Sequence, residues 1–210
     1  MHLPKLYPIT DARLTGLSHV EQVARLGAGG ATLVQLREKH LSPVEFYREA
    51  LEALRVARAL GVRLIINDRA DIALALHADG VHLGQDDLPP EAARRLLGPT
   101  AIIGFSTHNL EQAVAAASLP IDYIAVGPIY STSSKEKPDP AVGLEGLRLV
   151  RERTGSTALV AIGGITDENA ASVLAAGADS VACIGTLLAR PSQIKERTRE
   201  LLSVLESQKA

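Results

Sequence analysis

The sequence is poor in cysteine and aromatic residues and carries almost no net charge, and each scarcity excludes a class of protein. A single cysteine, Cys183, cannot form an intrachain disulfide, so a disulfide-stapled scaffold is excluded. Cys183 lies in the apolar run SVACIG, where we expect an inert strand residue rather than a nucleophile. Aromatic residues make up 3% of the chain and the formal net charge is −2, which argues against a nucleic-acid-binding surface.

Long apolar runs are also missing, so no membrane-spanning helix is predicted. The first ten residues, MHLPKLYPIT, contain prolines and lack the extended apolar core of a secretion signal. We therefore expect a cytoplasmic protein. No stretch of the 210 residues has the composition of a linker, which predicts one domain over residues 1–210.

What the sequence does contain is a regular alternation of short β-rich runs and helical segments. The predicted strands are Lys5–Thr10, Leu33–Glu38, Arg63–Asn67, Gly80–Gly84, Ile102–Ser106, Tyr123–Gly127, Ala158–Ile162 and Ser180–Ile184. The predicted helices are Ser18–Gly27, Pro43–Leu60, Arg69–Ala78, Pro89–Leu97, Asn109–Ser118, Leu144–Arg153, Asp167–Ala176 and Ser192–Glu206. Eight such units predict a parallel sheet, and eight is the number that closes a (β/α)8 TIM barrel. A doubly wound open sheet is the alternative, although it lacks the expected G-x-G-x-x-G turn after the first strand.

The segment Pro43–Leu60 shows the helical period most clearly. Ser42 before Pro43 is a cap followed by proline at the first helical position, and Gly61 ends the helix. Apolar residues at helical spacing predict its buried stripe, which consists of Val44, Tyr47, Leu51, Leu54 and Ala57.

Carboxylates follow two neighbouring predicted strands. Asn67 and Asp68 end the first run, and Gln85, Asp86 and Asp87 follow the second. The carboxyl ends of adjacent parallel strands meet in space, and oxygen ligands near a substrate phosphate suit Mg²⁺. Asp is also a favoured helix N-cap, so each carboxylate taken alone is equally explained as a cap.

The second strand ends in a cationic set. Alternation predicts that Gln35, Arg37 and Lys39 share one face. A barrel interior does not accept cations without anionic partners, and a diphosphate matches them well because Arg binds two oxygens at once. Surface salt bridges at an exposed strand end are the alternative interpretation.

A second anion site is indicated by glycines at the ends of strands seven and eight, and polar groups that suit phosphate oxygens follow strands five and six. Ser106 ends strand five, and the polar loop after strand six carries Thr132, Ser134 and Lys135. Backbone amides at Gly164, Ile184 and Gly185 fit the phosphate cradle of barrels and suit a monophosphate. A diphosphate beside a phosphorylated second substrate suggests a transferase with pyrophosphate as the leaving group.

The motifs QLREK, NDR, GVHLGQDD, GPIY-x-T-x-S-K and AIGGI occur in this order over nearly the whole chain. Together they resemble the thiamine-phosphate synthase family. The resemblance implies a (β/α)8 barrel enzyme that joins hydroxymethylpyrimidine diphosphate to thiazole phosphate. The products would be thiamine phosphate and pyrophosphate, and the cofactor would be Mg²⁺.

The resemblance also implies roles for individual residues. The residues that would hold the pyrimidine diphosphate are Gln35, Arg37, Lys39, Asn67, Ser106 and Lys135. Those that would surround the thiazole phosphate are Thr132, Ser134, Gly164, Ile184 and Gly185. The Mg²⁺ ligands would be Asp68 and Asp87, with Asp86 outside the coordination sphere. Arg37, Lys39, Ser106 and Lys135 would be the catalytic residues.

Three positions depart from the common family pattern: Ser131 stands where proline is usual, Ser134 replaces threonine, and Gly185 replaces serine. The change at Gly185 matters most, since it removes one side-chain donor to the thiazole phosphate. Two rival functions stay open. A thiazole tautomerase of the same barrel family would use His108 for proton transfer, and a non-catalytic barrel would only bind a phosphate ligand.

Overall fold

Parallel strands form a ring that closes on itself. The structure is a computed structural model that describes residues 3–131 and 140–207. Within these residues the strands are β1 (Leu6–Pro8), β2 (Leu33–Leu36), β3 (Arg63–Asn67), β4 (Gly80–Leu83), β5 (Ile102–Thr107), β6 (Tyr123–Val126), β7 (Ala158–Ile162) and β8 (Ser180–Cys183). From β2 to β8 each strand pairs in parallel with the next, and β1 pairs in parallel with β8. The Ile9–Gln35 bridge joins β1 to β2, so the (β/α)8 barrel is confirmed and the doubly wound alternative is wrong.

Helices follow the strands on the outside of the ring. In the described part of the chain they are α1 (Ala12–Thr15), α2 (His19–Ala28), α3 (Pro43–Ala59), α4 (Ala70–Leu76), α5 (Pro90–Leu97), α6 (Leu110–Ala116), α7 (Gly143–Thr154), α8 (Ala170–Ala175), α9 (Gly185–Leu188) and α10 (Ile194–Glu206). Capping boxes start α2 at Ser18 and α3 at Ser42. The short helices α1 and α9 were not predicted, because four residues are too few to show a helical period. None of the described helices is both long and apolar enough to cross a bilayer.

The predicted buried stripe of α3 is partly wrong. Val44 is 58% exposed and Tyr47 is 37% exposed, whereas Phe46 is buried. Three alanines, at positions 50, 53 and 57, complete the buried face beside Leu54. Small side chains let α3 pack closely against α2. The size of a side chain, as well as its hydrophobicity, therefore determines which residues of α3 are buried.

The interior of the ring is filled by its own side chains. Those that meet there include Leu33, Ile65, Val160 and Ala182, which alternate along their strands with residues facing the helices. A larger apolar layer lies between strands and helices and contains Cys183. Burial raises the pKa of the Cys183 thiol to about 12, which agrees with an inert strand residue.

Two arginines brace the end of the barrel at which the strands begin. Arg94 in α5 donates to the Asp122 carboxylate at 2.7 Å, and Asp122 also accepts the N–H of Ile103 in β5 at 2.8 Å. Arg151 in α7 repeats the arrangement with Asp179. The arginines also satisfy backbone carbonyls, those of Gly98, Ala101 and Pro120 for Arg94 and those of Gly155, Thr157 and Gly177 for Arg151. We call these two groups the arginine clamps.

Candidate active site

The residues that the sequence singled out lie together at the carboxyl ends of the strands. Gln35, Asn67 and Ser106 are among the last residues of β2, β3 and β5. The loops after the strands carry the others: Arg37 and Lys39 after β2, Asp68 after β3, Asp87 after β4, Gly164 after β7, and Ile184 and Gly185 after β8. This is the rim on which barrel enzymes build their active sites. Thr132, Ser134 and Lys135 lie outside the described residues, so their roles stay predictions.

Asp68 is not a helix cap. Helix α4 begins at Ala70, the position before it is Arg69, and no side chain caps the helix. Asp68 has a φ of 63°, in the left-handed region that non-glycine residues rarely adopt, and its N–H donates to the His82 carbonyl at 2.8 Å. Strained backbone of this kind is concentrated at functional sites. The side chain contacts the Lys39 ammonium, so the carboxylate faces the rim rather than a helix end.

Asp87 is not a helix cap either. Helix α5 begins at Pro90, and Asp87 instead accepts the Gly84 N–H at 2.6 Å within its own loop. Burial raises the pKa of the Asp87 carboxyl, the Gly84 hydrogen bond opposes this, and the nearby Asp68 carboxylate raises the pKa further. The neighbouring Asp86 is exposed. The capping interpretation is therefore wrong for both predicted ligands.

The paired carboxylates suit a hard divalent cation. The Asp68 carboxylate raises the pKa of the Asp87 carboxyl, and a positive charge beside both side chains would stabilise them in the ionised form. No cluster of three or more His, Cys, Asp or Glu side chains fit for a metal occurs within residues 3–131 and 140–207. Mg²⁺ is commonly bound through only one or two carboxylates, with water and substrate phosphates completing its octahedron. The donor set therefore fits Mg²⁺ that arrives with a phosphorylated substrate.

Arg37 and Lys39 do not lie on a strand. Strand β2 ends at Leu36, so the predicted alternation applies to Gln35 alone, and the two cations lie in the following loop. Arg37 is oriented by the Asp11 carboxylate, 3.6 Å from its guanidinium, and its N–H donates to the Thr10 hydroxyl at 3.2 Å. No local sequence pattern predicts these contacts, because Asp11 follows a different strand.

Glu38 organises the loop that carries both cations. One carboxylate oxygen accepts the N–H groups of Lys39, His40 and Leu41, and the other contacts His19 Nε2 at 3.0 Å. Burial alone would raise the pKa of Glu38, but the hydrogen bonds from His19 and the loop outweigh it and lower the pKa to about 2. The ionised carboxylate thus holds the loop in shape.

We expect the free energy of unfolding to fall in acid as Glu38 becomes protonated. A carboxyl whose pKa is lower in the folded state stabilises the fold fully above its unfolded pKa, near 4.5, and the contribution is lost as the pH falls through about 2. The contribution is at most about 3 kcal/mol. Urea titrations from pH 6 to pH 2 should show a shallower decline in Glu38→Gln than in the parent. Glu152→Gln, on an exposed position, is the control, and parallel curves for parent and Glu38→Gln would contradict the prediction.

A buried hydrogen-bond chain crosses the barrel beneath the rim. Gln35 Nε2 donates to Tyr7 Oη at 3.3 Å, and Tyr7 Oη lies 3.0 Å from Tyr123 Oη. Tyr123 Oη lies 3.0 Å from His82 Nδ1, and His82 Nε2 lies 2.9 Å from Ser106 Oγ. The three inner members, Tyr7, Tyr123 and His82, were not predicted from the sequence, although a polar residue inside an apolar strand, as in GVHLG, was a usable signal. We call this set the tyrosine–histidine chain.

The predicted phosphate cradle lies at the ends of β7 and β8. Gly164 has a φ of 63°, and a Cβ there would come within 2.7 Å of the Ser131 carbonyl oxygen, so only glycine fits this turn. Helix α9 starts at Gly185, and its first described intrahelical donors are Leu187 and Leu188. The N–H groups at its first positions are therefore the ones that an anion would use. Apart from its chain neighbours and the backbone of its own helix, no described atom lies within 4 Å of where a Cβ of Gly185 would stand.

His108 has a structural environment. Its Nδ1 donates to the Gly127 carbonyl at 2.8 Å, and its own N–H donates to the Gln112 side chain at 2.7 Å. These contacts join the start of α6 to the end of β6. The geometry accounts for His108 without a proton-transfer role.

Comparisons with known proteins agree on one family. A family model described as thiamine monophosphate synthase matches residues 6–187. The thiamine-phosphate synthase of Koribacter versatilis is 50% identical over 99% of this chain and 98% of its own length. That of Chloroflexus aurantiacus is 45% identical over 96% of this chain and 94% of its own length. Thiamine phosphate pyrophosphorylase from Pyrococcus furiosus has a similar structure, with a TM-score of 0.88 and 36% identity over 98% of this chain and 97% of that one.

Proposed function

The chain belongs to the thiamine monophosphate synthase family, and we propose that it joins hydroxymethylpyrimidine diphosphate to thiazole phosphate with Mg²⁺ as cofactor. The products are thiamine phosphate and pyrophosphate. The single observation that carries the proposal is the meeting of Lys39, Asp68 and Asp87 at adjacent strand ends. A phosphate can be bound by cations or by backbone amides alone, whereas departure of a diphosphate is favoured by cations and metal-binding carboxylates together.

On the pyrimidine side, the cationic residues stabilise the leaving group. Arg37 and Lys39 hold diphosphate oxygens, with Lys135 as the third cation from the loop after β6. Asp68 and Asp87 would hold Mg²⁺, which supplies a positive charge for the diphosphate. Gln35, Asn67 and Ser106 orient the pyrimidine ring. The carbon–oxygen bond breaks ahead of attack, since the electron-rich aminopyrimidine supports a benzylic-type cation.

On the thiazole side, the chain supplies orientation. Backbone amides at Gly164, Ile184 and Gly185, with the hydroxyls of Thr132 and Ser134, anchor the thiazole phosphate. The thiazole nitrogen then attacks the methylene carbon. Because this nitrogen carries no proton, no general base is needed. Holding both reactants in line is expected to supply much of the remaining rate enhancement.

The direct test is to incubate the purified protein with both substrates and Mg²⁺ and to detect thiamine phosphate and pyrophosphate. We expect both products in equal amounts, and EDTA should abolish them. Isomerisation of the thiazole phosphate that persists in EDTA would support the tautomerase instead. Binding of either substrate without turnover would indicate a non-catalytic barrel.

Gly185→Ser is expected to tighten binding of the thiazole phosphate. The position has room for a side chain, and a serine hydroxyl there adds a donor to the anion. A hydrogen bond to a charged group contributes about 1.5 kcal/mol or more, which lowers KM for the thiazole phosphate by about tenfold. Steady-state kinetics with each substrate varied in turn measures this. Ala189→Ser adds a hydroxyl at the exposed end of the same helix and serves as control; equal KM values in both variants would contradict the prediction.

A further inference from the structure

The tyrosine–histidine chain joins two walls of the barrel that the sequence separates widely. It begins at Gln35 in β2 and ends at Ser106 in β5, and its three inner members are Tyr7, Tyr123 and His82. Both tyrosines are almost completely buried, and their rings meet edge to face with centroids 5.8 Å apart. The His82 ring stacks on Tyr123 at 5.7 Å. Buried hydroxyls need partners, so the chain is a fixed part of the core.

A glycine in the neighbouring strand leaves room for the tyrosine–histidine chain. Tyr123 lies beside Gly104 of β5 in the sheet register, and a Cβ at Gly104 would come within 2.3 Å of the Tyr123 hydroxyl. Any other residue at that position would push the ring away. Only glycine therefore allows the Tyr123 hydroxyl to lie between Tyr7 and His82.

Each tyrosine hydroxyl in the tyrosine–histidine chain has one proton to donate. The donor-to-acceptor direction of the hydrogen bond at one end therefore determines the direction of those that follow. Gln35 Nε2 can only donate, and Tyr7 therefore accepts from it. The Tyr7 proton then goes to Tyr123, because the opposite direction would leave it without an acceptor among the described members of the chain. The Tyr123 proton goes to His82 Nδ1, which puts the imidazole proton on Nε2, facing Ser106 Oγ.

The two ends of the tyrosine–histidine chain consequently differ in what they offer a ligand: Gln35 presents a hydrogen-bond acceptor and Ser106 presents a donor. Gln35 donates one of its two amide protons to Tyr7, and this contact fixes the orientation of the amide, so that the carbonyl oxygen on its other branch is held as an acceptor. Ser106 accepts from His82 and keeps its own proton as a donor. An aminopyrimidine matches this pair, since its exocyclic amine donates and its ring nitrogens accept. An oxo analogue, in which a carbonyl replaces the amine, would bring two acceptors together at Gln35.

We propose that Tyr7, Tyr123 and His82 are positioning residues that fix the hydrogen-bond polarity of Gln35 and Ser106 and so select an aminopyrimidine over its oxo analogue. The proposal rests on the proposed function, because it assumes that this end of the site holds the pyrimidine. Gln35 cannot rotate its amide while the Tyr7 proton is committed to Tyr123. Without the Tyr123 hydroxyl, the Tyr7 O–H loses its acceptor and can donate to the Gln35 carbonyl oxygen instead. The Gln35 amide can then rotate and present either its oxygen or its nitrogen to a ligand.

Tyr123→Phe tests this directly. The probes are the aminopyrimidine monophosphate and its oxo analogue, each measured as an inhibitor competing with the pyrimidine diphosphate. We expect the parent to bind the amine at least about 100-fold more tightly than the oxo compound, and Tyr123→Phe to reduce this ratio to within about tenfold. KM for the thiazole phosphate should not change. Tyr47→Phe removes an exposed tyrosine hydroxyl and should keep the parent ratio.

The tautomer of His82 provides a second readout, and it is measured on the parent protein rather than on Tyr123→Phe. Nitrogen NMR on histidine-labelled protein should find the proton of His82 on Nε2, with the signal assigned by its loss in His82→Gln. A proton on Nδ1 would mean that the hydrogen bonds of the tyrosine–histidine chain have the opposite donor-to-acceptor direction, and it would overturn the proposal. An unchanged inhibitor ratio in folded Tyr123→Phe would overturn it too. If the parent makes no thiamine phosphate, the proposed function itself fails, which is a different result.

Discussion

Replacing Arg37 with alanine is expected to lower kcat/KM by about 10²- to 10³-fold, the loss typical of removing one donor to a developing anion. The guanidinium lies at the rim, 3.6 Å from the Asp11 carboxylate that orients it. Its planar fork can hold two diphosphate oxygens at once, and negative charge accumulates on these oxygens as the carbon–oxygen bond breaks. The interaction therefore strengthens towards the transition state, and turnover should fall along with affinity.

Two further variants make the Arg37 prediction specific. Arg37→Lys keeps the charge but not the fork, so its activity should lie between those of the parent and Arg37→Ala. Arg55→Ala removes an exposed arginine of α3 and should leave kcat/KM unchanged. Circular dichroism and urea unfolding should show an intact fold in all three. Condensation of the two substrates by purified Arg37→Ala at the parent rate would show that the assignment is wrong.

Asp87→Asn is expected to raise the Mg²⁺ concentration that gives half-maximal activity by about 100-fold. Changing a residue that only supports a metal ligand costs about 10- to 100-fold in affinity or activity, and loss of a ligand charge should reach at least the upper end of that range. Asparagine keeps an oxygen that can accept the Gly84 N–H, so the loop should hold its shape. The variant therefore removes charge rather than structure.

Asp86→Asn is the matched control for the metal prediction. Asp86 has the same charge and is the next residue, but its side chain is exposed whereas Asp87 is partly buried beside Asp68. Mg²⁺ titrations of activity, together with calorimetry of Mg²⁺ binding in the presence of pyrophosphate, should separate the two variants. An equal shift in both would indicate a general effect of charge at the rim, and a shift in Asp86→Asn alone would reverse the ligand assignment.

The sequence predicted the fold because its signals are local. Each strand is a short β-rich run, and each is followed by a segment with helical composition, so strand order and direction could be derived from the topology rules for parallel sheets. The bounds of β3 and β7 are those predicted, Arg63–Asn67 and Ala158–Ile162. Elsewhere the predicted ends differ by a few residues, because terminal residues carry little periodic signal.

The candidate site was predictable only in part. The positions of Asp68, Asp87 and Gln35 at the rim were predictable because each stands at a strand end or in the loop that follows it. The reason for placing Arg37 and Lys39 on one face was wrong. Side chains alternate with a period of two only inside a strand, and β2 ends at Leu36. The contact between Tyr7 and Tyr123 joins residues 116 positions apart, and only closure of the ring brings them together. No local pattern could have predicted that contact.

The arginine clamps lie at one end of the barrel, and the candidate active site lies at the other. They join helices α5 and α7 to the ends of the strands opposite the rim, through backbone carbonyls and the carboxylates of Asp122 and Asp179. Replacement of a rim loop should therefore alter which ligands are accepted without unfastening the strands beneath it. New specificities can be explored at one end while the other retains the fold, which makes this barrel a tolerant starting point for directed evolution.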